Sequence, residues 1–158
     1  MENLNEFTTM LQSVTQSLQT LNLTDPKAAQ AHLSLEFPPS TVSKIFHLAQ
    51  AGMTEGWLSM KDATETIRFG RVSKPTPQTH GFSIDIVDMS GSGAEHSHPA
   101  GEVSLCFATE GQPQFENCSS GWVVLPPDSH HTPTVKGGRM TIIYFLPSGS
   151  VKWGPASS

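Results

Sequence analysis

The residues of this sequence best suited to chemistry lie in the segment AEHSHPAGE, residues 94–102. It places His96 and His98 two residues apart and follows them with Glu102. Side chains two residues apart on a strand point to the same face, so the two imidazoles can lie side by side. After a turn at Pro99 and Gly101, Glu102 begins an apolar strand and can return a carboxylate to the same point. Two histidines and one carboxylate with open positions form a ligand set used by iron and other divalent metals.

A second histidine cluster lies downstream in GWVVLPPDSHHTP, residues 121–133. His130 and His131 follow a Pro-Pro-Asp turn at the end of an apolar strand. Because adjacent strand residues face opposite sides, only one of them can point into a given interior. The other faces away, orients a ligand or contacts substrate. A lone His-x-His pair is more often exposed polar sequence than a metal site, but the added carboxylate and the second cluster favour a metal.

The composition indicates one globular domain with room for an appendage, since the chain has 158 residues, 36% hydrophobic and 15% charged. The net charge of -5 and the absence of a basic run argue against nucleic acid and membrane partners. No segment approaches the ~20 apolar residues of a membrane span, and MENLNEFTTM lacks the apolar stretch of a secretory signal. We therefore expect a cytoplasmic protein. Cys106 and Cys118 match no zinc spacing, and the sequence leaves a disulfide between them open.

The first 54 residues have a helical pattern. Their first apolar stripe recurs at steps of three and four and consists of Leu4, Phe7, Leu11, Val14, Leu18 and Leu21. Asp25-Pro26 predicts the cap and first residue of a second helix. Ser40 is predicted to cap a third helix that ends at Gly52. We expect residues 1–54 to pack on the protein's own barrel or on a partner copy in a homodimer.

After residue 55 the helical period disappears. Short segments rich in β-branched and aromatic residues follow, namely GWLSM, TIRFGRVS, FSIDIVDM, EVSLCFAT, QPQFE, GWVVLPP, RMTIIYFLP and SVKWG. Turn residues separate them, which predicts a sandwich or barrel over residues 55–158. In SIDIVDM the alternation slips once, between Ile86 and Val87, and this suggests a bulge. The terminal GPASS is predicted to fray.

The segments HSHPAGE and GWVVLPPDSHH resemble the two signature motifs of the cupin superfamily. The first has the form His-x-His, three residues, Glu, and the second has the form Pro-x-Gly, two residues, His. Alignment on Pro126 places the last ligand at His131, with His130 as the alternative, and puts Asp128 where cupins usually have Gly. The resemblance implies a mainly β fold, a cupin-type double-stranded β-helix or jelly-roll barrel with a helical N-terminal segment. It also implies a divalent metal, with Fe, Mn, Zn and Ni left open and no organic cofactor, bound by His96, His98, Glu102 and His131.

A narrower resemblance links GWLSMKDATETIRFGRVSKP, FSIDIVDM, HSHPAGEVSLCF and GGRMTIIYFLPSG to the 4-hydroxylaminobenzoate lyase family of small cupins. It covers residues 55–153 and, more weakly, the N-terminus. It implies a lyase that converts 4-hydroxylaminobenzoate to protocatechuate (3,4-dihydroxybenzoate) with release of ammonia, in the bacterial degradation of 4-nitrobenzoate. Glu102, His98 and His131 are then the candidate catalytic residues, acting through the metal or as general acids and bases.

A small aromatic carboxylate also needs a cation and an apolar slot. Arg71, in FGRVSKP, is our candidate for the carboxylate because arginine offers two parallel hydrogen bonds. A solvated strand arginine is the competing interpretation. The candidates for the remaining substrate contacts are Trp57, Phe69, Phe107 and Tyr144 for the ring slot, and His130. Each of these aromatic residues, taken singly, is more often part of a core than of a pocket.

Two other functions use the same residues. One is a metal-dependent cupin dioxygenase acting on a catechol- or aminophenol-type aromatic, which oxygen consumption would reveal. The other is a non-catalytic, small-molecule-binding cupin, although a binder has no need for a metal with open positions. Because cupins host many functions, the fold alone does not choose among them.

Overall fold

The structure is a computed structural model that describes residues 2–155. Three helices come first: α1 (Glu2–Leu18), α2 (Pro26–Glu36) and α3 (Pro39–Glu55). The strands follow as β1 (Lys61–Thr64), β2 (Ile67–Ser73), β3 (Phe82–Ser92), β4 (His96–His98), β5 (Glu102–Phe115), β6 (Gly121–Leu125), β7 (Ser129–His131), β8 (Thr134–Pro147) and β9 (Lys152–Trp153). Most of GPASS, predicted to fray, lies outside the described residues.

The strands form two antiparallel sheets. The larger has the order β1-β2-β3-β8-β5-β6, and the smaller has the order β7-β4-β9. Strand β8 thus lies between β3 and β5, although neither of these strands is its neighbour in the sequence. The prediction of a mainly β, two-sheet jelly-roll barrel with a helical N-terminal segment is confirmed.

The larger sheet is buried on both faces, and β3 shows how. Ile84 and Ile86 pack in the core cluster that includes the helices, whereas Val87 and Met89 pack in the barrel interior. The predicted bulge between Ile86 and Val87 is wrong, because pairing with β8 stays regular until a shift between Met89 and Gly91. A strand covered on both faces carries apolar residues on both, which explains the break in alternation.

Helix α1 packs on the outer face of the larger sheet. Its stripe residues Phe7, Leu11, Val14 and Leu18 are almost completely buried. They share one core cluster with Ile84 and Val103 of the sheet. The stripe is therefore covered within the chain itself, and the expected homodimer stays a prediction that this helix does not support.

The start of α2 follows the sequence. The Asp25 carboxylate accepts a hydrogen bond from the Ala28 backbone N–H at 3.3 Å, and Pro26 is the first helical residue. The carboxylate satisfies one of the N–H groups left free at a helix start, and proline has no N–H to satisfy. The cap predicted at Asp25 is confirmed.

Both predicted ends of α3 are wrong. The helix begins at Pro39, after Pro38 and without a side-chain cap, so Ser40 lies inside it. Gly52 is also inside the helix, which ends at Glu55 and is followed by Gly56 as its C-cap with a φ of 86°. Gly52 is needed for packing, since a Cβ there would lie 2.6 Å from Leu58 Cγ. Tertiary contact, and not termination, explains this glycine.

Strands β5 and β8 bend together, and their pairing shifts register twice near Gly111. The two backbones approach so closely there that a Cβ on Gly111 would lie 2.6 Å from the Gly137 carbonyl oxygen. A Cβ on Gly138 would lie 1.9 Å from the carbonyl oxygen of Glu110. The bend therefore requires residues without side chains.

Neither cysteine forms a disulfide within the described residues. Cys106 lies in the barrel interior, and burial raises the pKa of its thiol well above the usual value. A protonated, buried thiol is unreactive.

Between residues 2 and 155, no helix combines the length and apolar character needed to cross a membrane.

Two glycine substitutions test the bend. Gly111 and Gly81 both have a positive φ, 69° and 82°, but a Cβ on Gly81 would meet nothing within 4 Å. We expect Gly81→Ala to lower the free energy of unfolding by about 1–2 kcal/mol, the cost of a left-handed backbone. Gly111→Ala should lower it further because the clash with Gly137 is added. Urea unfolding measures both losses, and equal losses would contradict the steric role of Gly111.

Candidate metal centre and active site

The pairing of two short strands brings the three histidines together. Strands β4 and β7 are antiparallel, with His96 opposite His131. Residues directly opposite each other share a face, and His98, two residues along, joins them. Ser97 and His130 form the intervening pair and face the other way. The register thus selects His131, and not its neighbour, for the cluster.

The Nε2 atoms of the three histidines face one point. They are 2.9 Å apart between His96 and His98, 3.2 Å between His98 and His131, and 3.1 Å between His131 and His96. Ligands at adjacent positions of an octahedral ion, with bonds of about 2.1 Å, are about 3.0 Å apart. The triangle therefore has the size of three ligands on one face of an octahedron.

Glu102 reaches the cluster from the larger sheet. The turn before it uses Gly101 at a φ of 90°, where a Cβ would lie 2.9 Å from the Leu125 carbonyl oxygen. Its Oε2 lies 2.5 Å from His98 Nε2, and its Oε1 accepts a hydrogen bond from the Ser104 hydroxyl at 2.6 Å. One ligand atom from each member of the set lies within 4.8 Å of the others, and the set is His96, His98, Glu102 and His131.

The cluster is almost completely buried, and its burial and internal contacts together determine the charges of Glu102 and His96. Glu102 and His98 are each only 1% exposed. Burial alone would raise the pKa of Glu102, but the hydrogen bonds from His98 and Ser104 and the charge of His98 outweigh it, so the pKa falls below its usual value. Burial lowers the pKa of His96, and the neighbouring imidazoles lower it further. An ionised carboxylate and a neutral imidazole are the forms that bind metal.

The tautomers of two histidines make the cluster fit a cation. The Nδ1–H of His96 donates to the Ala94 carbonyl oxygen at 2.7 Å, and the Nδ1–H of His131 donates to Glu116 Oε1 at 2.6 Å. Both partners are acceptors only, so in each neutral ring Nε2 carries a lone pair. The two Nε2 atoms are 3.1 Å apart, and their lone pairs repel each other unless a cation lies between them. The residues therefore fit a divalent metal.

The turn before β7 departs from the usual cupin motif at Asp128. This residue has a φ of 65°, the left-handed conformation that glycine adopts freely and aspartate tolerates. Its backbone N–H donates to the His98 carbonyl oxygen at 2.8 Å, which fastens the turn to β4. His130 follows on the face opposite His131, and its Nε2 lies 3.3 Å from Glu95 Oε2.

The predicted substrate contacts divide between the two faces of the larger sheet. Phe69, Arg71 and Tyr144 lie on the barrel face, in register with the residues of the interior cluster. Trp57 and Phe107 instead belong to the core under the helices, where Phe107 stacks on a phenylalanine of α3 at 4.8 Å. The structure does not bring Trp57 or Phe107 to the metal ligands.

A row of side chains on the barrel face connects Arg71 with the cluster. Strand register places Arg71 beside Asp85, and Asp85 beside Tyr144. Tyr144 lies beside Ser104, whose hydroxyl donates to Glu102. Three strand spacings make a backbone path of about 14 Å, and the curvature of the barrel brings the side chains closer than this. The row joins an exposed cation to the buried ligands.

The two middle members of the row are perturbed by burial. Burial raises the pKa of Asp85, and the hydrogen bond and charge of Arg71 offset this only in part. Burial, with the charges of Glu102 and Glu116, raises the pKa of Tyr144 well above its usual value. The Tyr144 phenol therefore stays neutral at physiological pH.

Sequence reasoning missed Ser104, Glu116 and Trp153. Ser104 had a signal, because it lies two residues after Glu102 on the same strand and so shares its face. Trp153, 66% exposed, lies on β9 opposite His96, with ring centroids 5.1 Å apart. Its strand was predicted, but the pairing of that strand with β4 has no local signal.

A two-sheet barrel that holds His-x-His, three residues, Glu and a further histidine around one point defines a cupin. The sequence model of one family, PnbB, 4-hydroxylaminobenzoate lyase, matches residues 9–153. The chain therefore belongs to the 4-hydroxylaminobenzoate lyase family and is a lyase.

Two relatives carry the name of this family. The chain is 29% identical to a 4-hydroxylaminobenzoate lyase of Pseudomonas putida over 130 residues, 72% of this chain and 74% of that protein. It is 27% identical to a 4-hydroxylaminobenzoate lyase of Nocardioides sp. (strain LMS-CY) over 119 residues, 70% of each. Among solved structures, a cupin-like protein of Thermotoga maritima aligns with a TM-score of 0.47 at 15% identity, covering 63% of this chain and 86% of that one.

The adjacent histidines of β7 provide a matched test of the metal centre. We expect His131→Ala to weaken Co²⁺ binding by more than about 100-fold because it removes a ligand. Loss of a residue that only hydrogen-bonds a ligand usually weakens binding by about 10- to 100-fold. His130→Ala should leave the affinity unchanged because that side chain faces away. Competition with a chromophoric chelator measures both affinities. Similar losses in the two variants would contradict the assignment of His131.

Proposed function

We propose that the protein converts 4-hydroxylaminobenzoate and one water to protocatechuate and ammonia, in the degradation of 4-nitrobenzoate. The observation that carries the proposal is the row of barrel-face residues between Arg71 and the four-residue cluster. A benzoate substituted at position 4 has a carboxylate at one end and the reacting nitrogen at the other. Such a molecule matches a site with a cation at one end and metal ligands at the other. The named activity of the two relatives supports the same substrate.

Arg71 is the proposed partner of the substrate carboxylate. Its Nε donates to Asp85 Oδ1 at 2.9 Å, which fixes the plane of the guanidinium. The two terminal nitrogens then remain for a carboxylate, which arginine binds with two parallel hydrogen bonds. Phe69 lies on the same face, 44% exposed, and offers an apolar surface for the ring. Tyr144 lies between these residues and the cluster.

The reaction needs proton transfer and charge stabilisation at the nitrogen end. A divalent metal held by the four residues supplies Lewis-acid polarisation of the hydroxylamine oxygen. Heterolysis of the N–O bond, with protonation of its oxygen, releases one water and makes the ring electron-poor. One water then adds to the carbon beside the one that bears nitrogen, a second adds to the nitrogen-bearing carbon, and ammonia leaves from that carbon, so that one water is consumed overall. Glu102, His98 and His131 are the proposed catalytic residues, which orient this end and transfer protons. The N–O bond is the only oxidant, so the atoms balance without oxygen or an organic cofactor.

Ammonia release in air-free buffer tests the reaction. We expect the metal-loaded protein to release one ammonia for each 4-hydroxylaminobenzoate consumed, with protocatechuate as the other product. His96→Ala should release none because it removes a metal ligand. Ammonia would be quantified enzymatically and protocatechuate by chromatography. Turnover that requires oxygen would instead indicate a dioxygenase, and no turnover of this substrate would contradict the proposal.

Two arginines on opposite faces of β2 test the carboxylate contact. Arg68 also pairs with an aspartate of β3, at 3.2 Å from Asp88, but on the outer face. We expect Arg71→Ala to raise KM by about 10- to 100-fold, as for loss of a charged hydrogen-bonding partner, with little change in kcat. Arg68→Ala should leave KM unchanged. Steady-state kinetics would decide, and an unchanged KM in Arg71→Ala would remove that residue from the site.

A further inference from the structure

The tip of the β5–β6 hairpin has an unusual residue at a demanding position. Phe115 and Cys118 exchange two backbone hydrogen bonds, each 2.9 Å, around a two-residue turn made of Glu116 and Asn117. Both turn residues have a positive φ, 50° and 65°. This is the pattern of a type I′ turn, which strongly favours Asn, Asp and Gly. Asn117 fits the preference and Glu116 does not.

A residue in a disfavoured backbone conformation points to a function when its side chain makes a specific contact. Glu116 makes such a contact, because its Oε1 accepts the Nδ1–H of His131 at 2.6 Å. The bend of β5 and β8 carries the hairpin tip to this place, and the ring of Phe115 lies 6.2 Å from that of His131. Glu116 thus has an unfavourable backbone conformation, and its carboxylate contacts a histidine that faces the metal site.

The three histidines of the cluster are held in different ways. His96 is fixed by a backbone carbonyl and His131 by the Glu116 carboxylate. His98 Nδ1, in contrast, is buried without a hydrogen-bond partner among residues 2–155. Among these three histidines, His131 is therefore the one whose outer nitrogen, Nδ1, is held by an ionisable side chain.

Glu116 also changes the charge of the centre. The ligand set alone contributes one negative charge, from Glu102, since the histidines bind metal as neutral imidazoles. Glu116 adds a second negative charge through the His131 ring, which balances the two positive charges of a divalent ion. A carboxylate that accepts the outer N–H of a ligating histidine also increases the basicity of the ligand.

We propose that Glu116 is a positioning residue that sets the His131 tautomer and tunes the centre for a divalent metal. The inference rests on the metal site described above. It assigns a role to the hairpin tip, a segment in which sequence reasoning found no functional residue. It predicts that a residue better suited to the turn will make a poorer metal site.

Glu116→Asn separates the two roles, because asparagine is favoured in the turn but is too short to keep the contact with His131. We expect the variant to fold and to bind Co²⁺ about 10- to 100-fold more weakly than wild type. Glu116→Gln keeps a hydrogen-bond acceptor without the charge, so its Co²⁺ affinity should fall by less than that of Glu116→Asn. Metal-free full-length protein is titrated with Co²⁺ against a chromophoric chelator, and the visible absorption of bound Co²⁺ reports a change in its ligand field.

Glu95→Asn is the matched control. Glu95 pairs with His130 on the opposite face of β7, so its loss should change neither the affinity nor the spectrum. Wild-type affinity and spectrum in Glu116→Asn, or equal losses in Glu95→Asn, would overturn the inference. Failure of the wild type to bind Co²⁺ would overturn it together with the metal site. If the affinities differ as expected but no ammonia forms, only the proposed reaction fails.

Discussion

The rest of the structure depends on the contact of Glu102 with the histidines, because it puts a buried carboxylate of one sheet against the imidazoles of the other. A buried charge destabilises a protein unless it is paired and hydrogen-bonded. Glu102 meets this condition through His98 and Ser104. This condition requires the Gly101 turn, which brings Glu102 to His98, and the cluster is complete only when β4 pairs with β7 and adds His131. Completion of the site therefore depends on this turn and on the pairing of the two short strands.

The larger sheet carries the candidate site on only one of its two faces. Its outer face packs on the helices, and its inner face carries the polar row and one ligand. The two Arg–Asp pairs of β2 and β3 illustrate the division, since Arg68 with Asp88 lies outside and Arg71 with Asp85 lies inside. Substitutions in the polar row should therefore affect the reaction, whereas the apolar residues of both faces stabilise the fold.

Local patterns in the sequence predicted what local geometry determines. The convergence of His96 and His98 follows from the two-residue period of a strand, and the Asp25 cap follows from one hydrogen bond. Non-local packing decided the rest. Gly52 was misread because a helix–loop contact requires it, and Phe107 could not be assigned to a face because both faces of the sheet are buried. Trp57 lies in the loop between α3 and β1 and packs on the core under the helices. Glu116 reaches His131 only through a bend in two long strands, which no short pattern reports.

The position of β8 between β3 and β5 determines when the protein can acquire its site during synthesis. Until residues 134–147 leave the ribosome, β3 and β5 have unpaired backbone edges that are prone to intermolecular association. All four ligands have emerged by then, but the wall that contains Tyr144 has not. In the nascent chain the histidines and Glu102 are therefore exposed to solvent before the barrel can enclose them. Final folding must follow translation of nearly the whole barrel.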